Sequence, residues 1–281
     1  MKREQGKKVA LVTGASSGIG YDVAEKLAGK GYRVYAAARR VELMEPLKEK
    51  GITPIRMDVT EERSMAEGVE VILQAEGRID VLVNNAGYGY FGPVETVTME
   101  EARRQIEVNV FGLARLCQLV IPSMRTQGYG RIVNLSSIAG KAVFSMGGWY
   151  NVSKFSVEAL SDAMRMELRP FGIDVVMIEP GPIKTDWGLI AARHLRESSA
   201  GTPYEEQGKR WSSSMDWGYR SNYFSGPEAV TRVIMRAVES RRPRPRYRAG
   251  RFAGLTMLLH TLLPTRWWDG MVGWMSRLQI T

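Results

Sequence analysis

The sequence predicts an α/β fold: one doubly wound parallel sheet, helices on both faces, and a helical extension at the C-terminal end. Three observations carry the prediction. Short β-branched runs alternate with helix-length segments through the first two-thirds of the 281 residues. The strands read as unbroken apolar runs, as strands covered on both faces must. A glycine-rich turn joins the first strand to the first helix.

The elements follow in order. Val9–Thr13 reads as a buried strand and Gly18–Lys30 as the helix behind it. Arg33–Ala38 is a second strand, and Val41–Lys50 a helix ended by Gly51. Thr53–Met57 is a third strand and Glu61–Ala75 a helix. Ile79–Val83, Arg131–Leu135 and Ile173–Ile178 are further strands, separated by helices over Met99–Arg125 and Tyr150–Leu168. This rhythm makes right-handed βαβ units. After Pro180 the pattern loosens. Residues 185–225 carry three tryptophans and three tyrosines among many serines and glycines, too long a stretch for a simple connection. We expect a substrate lid with a helix or two. Gly226-Pro227-Glu228 opens another helix to about Glu239, with proline in its first turn. Pro245–Gly250 is a last strand at the sheet edge, where proline is tolerated. Residues 251–281 form the C-terminal extension, and the whole of 1–281 is expected to be one domain.

Composition narrows the function classes. Apolar residues make up 44% and charged residues 25%, so a packed core is affordable and disorder is not expected. Cys117 is the one cysteine and lies in an apolar run, which excludes an internal disulfide and a cysteine metal cluster. His194 and His260, the two histidines, lie far apart, and no metal site is expected. The N-terminus is basic and enters a strand directly, without a secretory or membrane-spanning stretch, so a cytoplasmic location is expected. The net charge is +9, and arginines cluster at 241, 242, 244, 246, 248 and 251. A solvated basic surface, an anionic membrane, a phosphorylated ligand and nucleic acid all fit such a cluster.

The first strand runs into Thr13-Gly14-Ala15-Ser16-Ser17-Gly18-Ile19-Gly20. Glycines permit a tight turn and close backbone approach to a pyrophosphate, and the following helix offers free N–H groups and a positive dipole end. The spacing is TGxxxGxG rather than GxGxxG. The second strand ends in Arg39 and Arg40, where a site for NAD usually carries an acid. Guanidinium groups match a 2′-phosphate in charge and geometry, so NADP(H) is predicted over NAD(H). Asp58 and Val59 follow the third strand, and Asn85-Ala86-Gly87 the fourth. The Asp58 carboxylate is suited to an adenine amino group, and the small turn to passing close to the cofactor.

Tyr150-Asn151-Val152-Ser153-Lys154 opens a helix. Residues four apart share a face, so phenol and ammonium project together. A phenol with a reference pKa of about 10 is a poor base. A nearby cation is expected to lower it. Ser137 lies just past the fifth strand, where its hydroxyl can bind a substrate oxygen. Asn109 lies within a helix and can hold a water near Lys154.

These motifs together resemble the short-chain dehydrogenase/reductase family. TGASSGIG, NNAG, Asn109, Ser137, YNVSK and the run Pro180–Thr185 match its pattern in order and spacing, over roughly Lys8 to Glu239. The resemblance implies a Rossmann-like fold and an oxidoreductase interconverting a carbonyl and a primary or secondary alcohol. By the same carry-over, Tyr150 handles the proton at the substrate oxygen, and Lys154 binds the nicotinamide ribose and tunes Tyr150. Ser137, rather than its neighbour Ser136, polarises the carbonyl, and Asn109 supports a proton relay through water. Pro180, Gly181, Ile183 and Thr185 meet the nicotinamide end. A homodimer or homotetramer through the helices around Asn109 and Tyr150 is also implied.

Phe144, Met146, Trp149 and Trp187, with Tyr88, Tyr90, Phe91 and Ile138, are the candidate pocket residues, and their apolar character suits a lipophilic substrate. The tail carries an apolar run too short to span a bilayer, then Arg266, Trp267, Trp268 and Trp274. Packing on a partner, on the pocket or on a membrane surface all fit it. Its ending is similar to the branch of the family related to 17β-hydroxysteroid and retinol dehydrogenases. A non-catalytic NADP(H)-binding regulator on the same fold is the alternative, and the full Asn, Ser, Tyr and Lys set favours the enzyme. Nucleic acid is not an expected partner.

Overall fold

The structure is a computed structural model and describes residues 7–275; residues 1–6 and the last six of the expected C-terminal extension lie outside it. Its strands are β1 (Val9–Thr13), β2 (Arg33–Ala38), β3 (Thr53–Arg56), β4 (Val81–Asn84), β5 (Gly130–Leu135), β6 (Ile173–Pro180) and β7 (Arg246–Ala249). They form one parallel sheet in the order β3-β2-β1-β4-β5-β6-β7. Strand order reverses between β1 and β4, which opens a crevice at their carboxyl ends.

Side chains alternate across the sheet and build two cores. On one face Ala10, Val12, Val34, Val133 and Val176 meet Val23, Ala24 and Leu27 of α1 (Gly18–Gly29) and Val230, Ile234 and Val238 of α8 (Pro227–Glu239). On the other, Leu11, Leu82, Ile132 and Val175 meet α2 (Glu62–Glu76), α4 (Leu113–Gln127) and α5 (Gly148–Leu168) through Ile72, Leu116, Val120 and Val157. The Arg131 guanidinium anchors the end of α8. It bonds to the Ala237 carbonyl and to that of Ser240 at 3.0 Å, where helix carbonyls lack intrahelical partners.

α3 (Met99–Ile106) continues into α4 through a π-helical turn over Glu107–Gly112. The whole stretch 99–127 is long and apolar enough to cross a membrane by length and composition. Here its inner face, Leu116, Cys117, Val120 and Met124, is packed into the sheet core. α6 (Asp186–Ser199) and α7 (Glu205–Arg220) pack on each other above the carboxyl ends of the strands. α9 (Ala253–Leu262) and α10 (Thr265–Met275) form a third small core, in which Ala253, Met257, Trp268 and Val272 close on Ile138 and Ala142.

Residues Val41–Lys50 form the expected helix, of the 3₁₀ type, with Pro46 removing a donor in its middle. Two local expectations need correction. The fourth strand starts at Val81, not Ile79; Ile79 turns to a glutamine side chain, while Asp80 still bonds through its main chain to Val9 and Arg131. The Ile79 amide donates to Gln127 Oε1 at 3.2 Å, and Asp80 Oδ2 accepts from the Val9 amide at 2.8 Å. The arginine cluster is not one basic patch. Arg246 and Arg248 on β7 pair inward with Glu158, Asp162 and Glu179, while Arg241, Arg242 and Arg244 lie at the amino end of that strand.

Candidate active site

The turn after β1 is a tight glycine turn at the mouth of the crevice. Gly14 and Gly18 take left-handed φ values of 64° and 57°. A side chain at Gly20 would place its Cβ 2.5 Å from Asn85 Nδ2 and from the Gly14 carbonyl oxygen. Asn85 laces this turn to the end of β4, its Nδ2 donating to the carbonyls of Thr13 and Gly14 at 2.9 and 3.2 Å. Thr13 returns the contact, its Oγ1 accepting from the amides of Asn85 and Ala86 at 3.1 and 3.0 Å. Thr13 opens the glycine motif, and its place in the sequence carries no sign of this tie to β4. The N-cap Ser17 makes no side-chain cap bond, so the first amides of α1 face the crevice without one.

Arg39 and Arg40 sit exposed at the end of β2, and Arg40 Nη2 reaches Ser16 Oγ at 3.5 Å. Asp58 lies at the end of β3 with Oδ1 accepting from the Thr60 amide and hydroxyl at 3.0 and 2.8 Å. Val59 touches the π-turn, where a Cβ on Gly112 would strike the Val59 carbonyl. These four lie outside the wall of the main cavity. Gly14, Ser17, Gly18, Ile19, Asn85, Ala86, Gly87, Pro180, Gly181, Ile183 and Thr185 are in it.

Tyr150 and Lys154 occupy the first turns of α5 on one face, with the ammonium 5.8 Å from the phenol ring centre. Ser137, at the end of β5, caps a short turn by accepting from the Ala139 amide at 3.1 Å. Its hydroxyl donates to the Pro180 carbonyl at 3.4 Å, and both Ser137 and Tyr150 line the main cavity. Lys154 Nζ donates to the Leu135 carbonyl at 2.8 Å. Asn109 stands in the π-turn. Its Nδ2 donates to the Tyr88 carbonyl at 2.9 Å and to Ser153 Oγ at 3.0 Å, and its Oδ1 accepts from the Tyr88 amide at 3.0 Å. Gly87 lies between Asn109 and Lys154: a Cβ there would meet Asn109 Oδ1 at 3.0 Å and Lys154 Nζ at 3.9 Å.

The electrostatics reverse one expectation. A cation beside Tyr150 is expected to lower its pKa; instead burial pushes the phenol up to about 12, against the smaller lowering effect of the Ser137 hydroxyl. The rings of Phe91 and Trp187 lie 5.3 Å from that of Tyr150 and enclose it. Burial likewise brings the Lys154 ammonium down to about 8, opposed by the charge of Glu158.

The cavity above these groups has a volume of about 760 Å³. Phe144, Met146 and Trp187 line it, as do Tyr88, Phe91 and Ile138. α7 adds Trp211 and Tyr219, and α9 and α10 add Leu255, Leu259, Trp268 and Met271. Trp149 does not line it. One residue before Tyr150, it turns about 100° away around α5 and faces Met99, Ile106 and Phe111 instead. Tyr90 is also displaced, stacked on His194 at 4.7 Å. Asn151, an unremarked member of the tyrosine motif, holds the loop carrying Phe144. It donates to the carbonyls of Ala139 and Ala142 at 2.8 and 2.9 Å and accepts from the Phe144 amide at 3.3 Å. Its place in the motif was visible; the loop it holds was not.

A seven-stranded parallel sheet with a glycine turn at its switch point and a Ser–Tyr–Lys group beside it defines a class of nucleotide-dependent oxidoreductases. The chain belongs to the short-chain dehydrogenase family, whose pattern it matches over residues 8–191. It is 35% identical over 263 residues to a probable short-chain type dehydrogenase/reductase, VdlC, of Helicobacter pylori, covering 94% of this chain and 96% of that one. It is 40% identical over 193 residues to a 3-ketodihydrosphingosine reductase of Bacteroides thetaiotaomicron, covering 68% of each. An NADPH-dependent 3-dehydrocapnine reductase of Ornithobacterium rhinotracheale is 39% identical over 209 residues, 71% of each. Among solved structures, a short-chain dehydrogenase from Streptomyces avermitilis superposes with a TM-score of 0.78 at 30% identity, over 96% of this chain and 99% of the other. A metagenomic short-chain oxidoreductase in complex with NADP gives 0.68 at 28% identity, covering 86% and 97%. One from Burkholderia phymatum in complex with NAD gives 0.78 at 25% identity, covering 91% and 93%.

Proposed function

We propose that this oxidoreductase interconverts a lipophilic ketone or aldehyde and its alcohol, with NADP(H) as the hydride carrier. The observation that carries the reading is that Ser137, Tyr150 and Lys154 line one large cavity of mostly aromatic and aliphatic side chains. Such a wall suits an apolar substrate, and the two hydroxyls fix one polar atom within it. Two relatives, named as 3-keto and 3-dehydro reductases, support carbonyl reduction.

The residues present fit a dinucleotide. Gly14 and Gly20 let the β1–α1 turn close tightly on Asn85 and Ala86, and the open amides of α1 face the cavity beside it. Arg39 and Arg40, beside Ser16, are placed to meet a ribose phosphate. The nicotinamide supplies the hydride. Everything else falls to the chain. Ser137 and Tyr150 hold the substrate oxygen by two hydrogen bonds and polarise the carbonyl. Tyr150, kept neutral by burial, gives its proton to that oxygen as negative charge develops there. Lys154, buried and held by the Leu135 carbonyl, supplies a positive charge beside the phenolate that forms. Phe91 and Trp187 exclude water from the transfer.

Tyr150→Phe should abolish NADPH oxidation against a panel of lipophilic ketones while leaving NADPH binding intact. Near-normal turnover by this variant overturns the reading. For cofactor choice, kcat/KM with NADPH should exceed that with NADH. Replacing Arg39 and Arg40 together by Ala should remove about tenfold to a hundredfold of the preference, the worth of one or two charge-assisted bonds. Equal or better use of NADH by the unaltered protein argues against NADP(H).

A further inference from the structure

Tyr150, Lys154 and Glu158 lie four residues apart and form one stripe along α5. Glu158 is 3% exposed, a burial that ionised carboxylates tolerate only with partners. Its partners come from two distant segments. Arg246 Nε, on β7, lies 2.9 Å from Glu158 Oε2, and Lys141 Nζ, four residues past Ser137, lies 3.4 Å from the same oxygen. The other oxygen, Oε1, is buried and has no hydrogen-bond partner. The turn that carries Ser137 packs directly on this residue. A Cβ on Gly140 would meet Ser136 Oγ at 2.7 Å, Glu158 Cγ at 2.9 Å and the Lys154 carbonyl at 3.0 Å.

We infer that Glu158 is a positioning residue for Lys154: its buried carboxylate supplies the counter-charge that holds the ammonium in place, and Lys141 and Arg246 set how strongly the lysine feels it. This rests on the catalytic reading of Lys154 given above. The hydrogen-bond partner of Lys154 is a neutral carbonyl, so its charge must be balanced through space. Glu158, one helical turn along the same face, favours the ammonium and opposes burial. The charges that face Glu158 are Lys141 on the loop, Arg246 on β7, Glu179 on β6, and Lys154 and Asp162 on its own helix. Arg248 and Arg165 complete the group by pairing with Glu179 and Asp162. Removing Glu158 therefore exposes Lys154 to uncompensated burial. Removing Lys141 leaves more of the Glu158 charge to act on Lys154.

The test uses the full chain with ¹³C-labelled lysine. The Lys154 signal is assigned by its loss in Lys154→Met and titrated by its side-chain shift, without substrate or turnover. Glu158→Gln should move that titration to lower pH by about half a unit or more, the size of a nearby charge effect. Lys141→Gln, at a half-exposed site, should move it to higher pH, and Glu158→Asp should restore part of the first shift. The alkaline limb of kcat/KM should move with the titration in each variant. A purely structural Glu158 would lower the melting temperature and leave the Lys154 titration where it was, and that result overturns the inference. So does a Lys141→Gln variant that titrates like the parent. Should the unaltered protein reduce no ketone while the titrations shift as described, the catalytic reading fails and the charge coupling stands.

Discussion

Tyr150 and Lys154 sit in surroundings that disfavour charge, and this fixes the sign of the pH dependence. The phenol, near 12, keeps its proton through the working range. The ammonium, near 8, does not. Carbonyl reduction should therefore hold steady below about pH 8 and fall above it as Lys154 loses its proton, read as kcat/KM against pH. A limb set by the phenol, two or more units higher, would contradict this assignment. The motif made the pairing of the two side chains legible, because residues four apart share a helix face. The direction of the phenol shift was not legible. It depends on Phe91 and Trp187, which reach Tyr150 from 59 residues before it and 37 after it. Glu158 was equally hidden, since its partner Arg246 is 88 residues away.

Among the elements, the β1–α1 turn was read almost completely from its glycines. Its dependence on β4 was not, because the lacing runs through Asn85 and Thr13. The lacing makes Gly20 the most demanding position. Gly20→Val should abolish NADPH binding, measured by energy transfer from tryptophan to bound nucleotide, with far-ultraviolet circular dichroism retained. Binding at parental affinity would show that the turn can open without loss. The stretch Met99–Arg125 reads in the sequence simply as helix. The π-turn at its centre sets Asn109 inward against Tyr88 and Ser153, and such insertions have no simple hydrophobic period to reveal them. Trp149 was misplaced for a related reason: proximity in sequence to Tyr150 suggested the pocket, while the 100° step of the helix sends it to the far side.

At the scale of the whole molecule, two groups of apolar side chains among the described residues face outward. One lies on the helices around Asn109 and Tyr150, where Phe111, Val152, Phe155 and Met166 are 41–63% exposed. Self-association through this face, as expected from the sequence, should give a dimer or tetramer by light scattering, and Phe155→Glu should shift it toward monomer. A monomeric parent protein would rule this face out. The other lies on the C-terminal helices, where Leu258, Leu262, Trp267 and Trp274 are 54–70% exposed. The sheet itself was legible in the strand–helix rhythm, including its proline-flanked edge. The role of that edge as an electrostatic tie was not, since arginines at an edge strand look like solvated charge. Arg246 pairs with Glu158, Asp162 and Glu179. Arg246→Met should strand buried carboxylates and cost roughly 3–5 kcal/mol of stability, read from the denaturant midpoint. A loss below about 1 kcal/mol would mark these pairs as incidental.

The burial of Cys117 has a practical consequence. Its thiol is enclosed in the core under Asn84, whose Nδ2 lies 3.2 Å from the sulfur, and burial pushes it up to about 12. With no other cysteine in the chain, the folded protein offers no reactive thiol to thiol-directed reagents at neutral pH. A cysteine introduced at Leu258 would thus be a uniquely addressable handle. A dye attached there would report directly what approaches the C-terminal helices, with no background from the rest of the molecule.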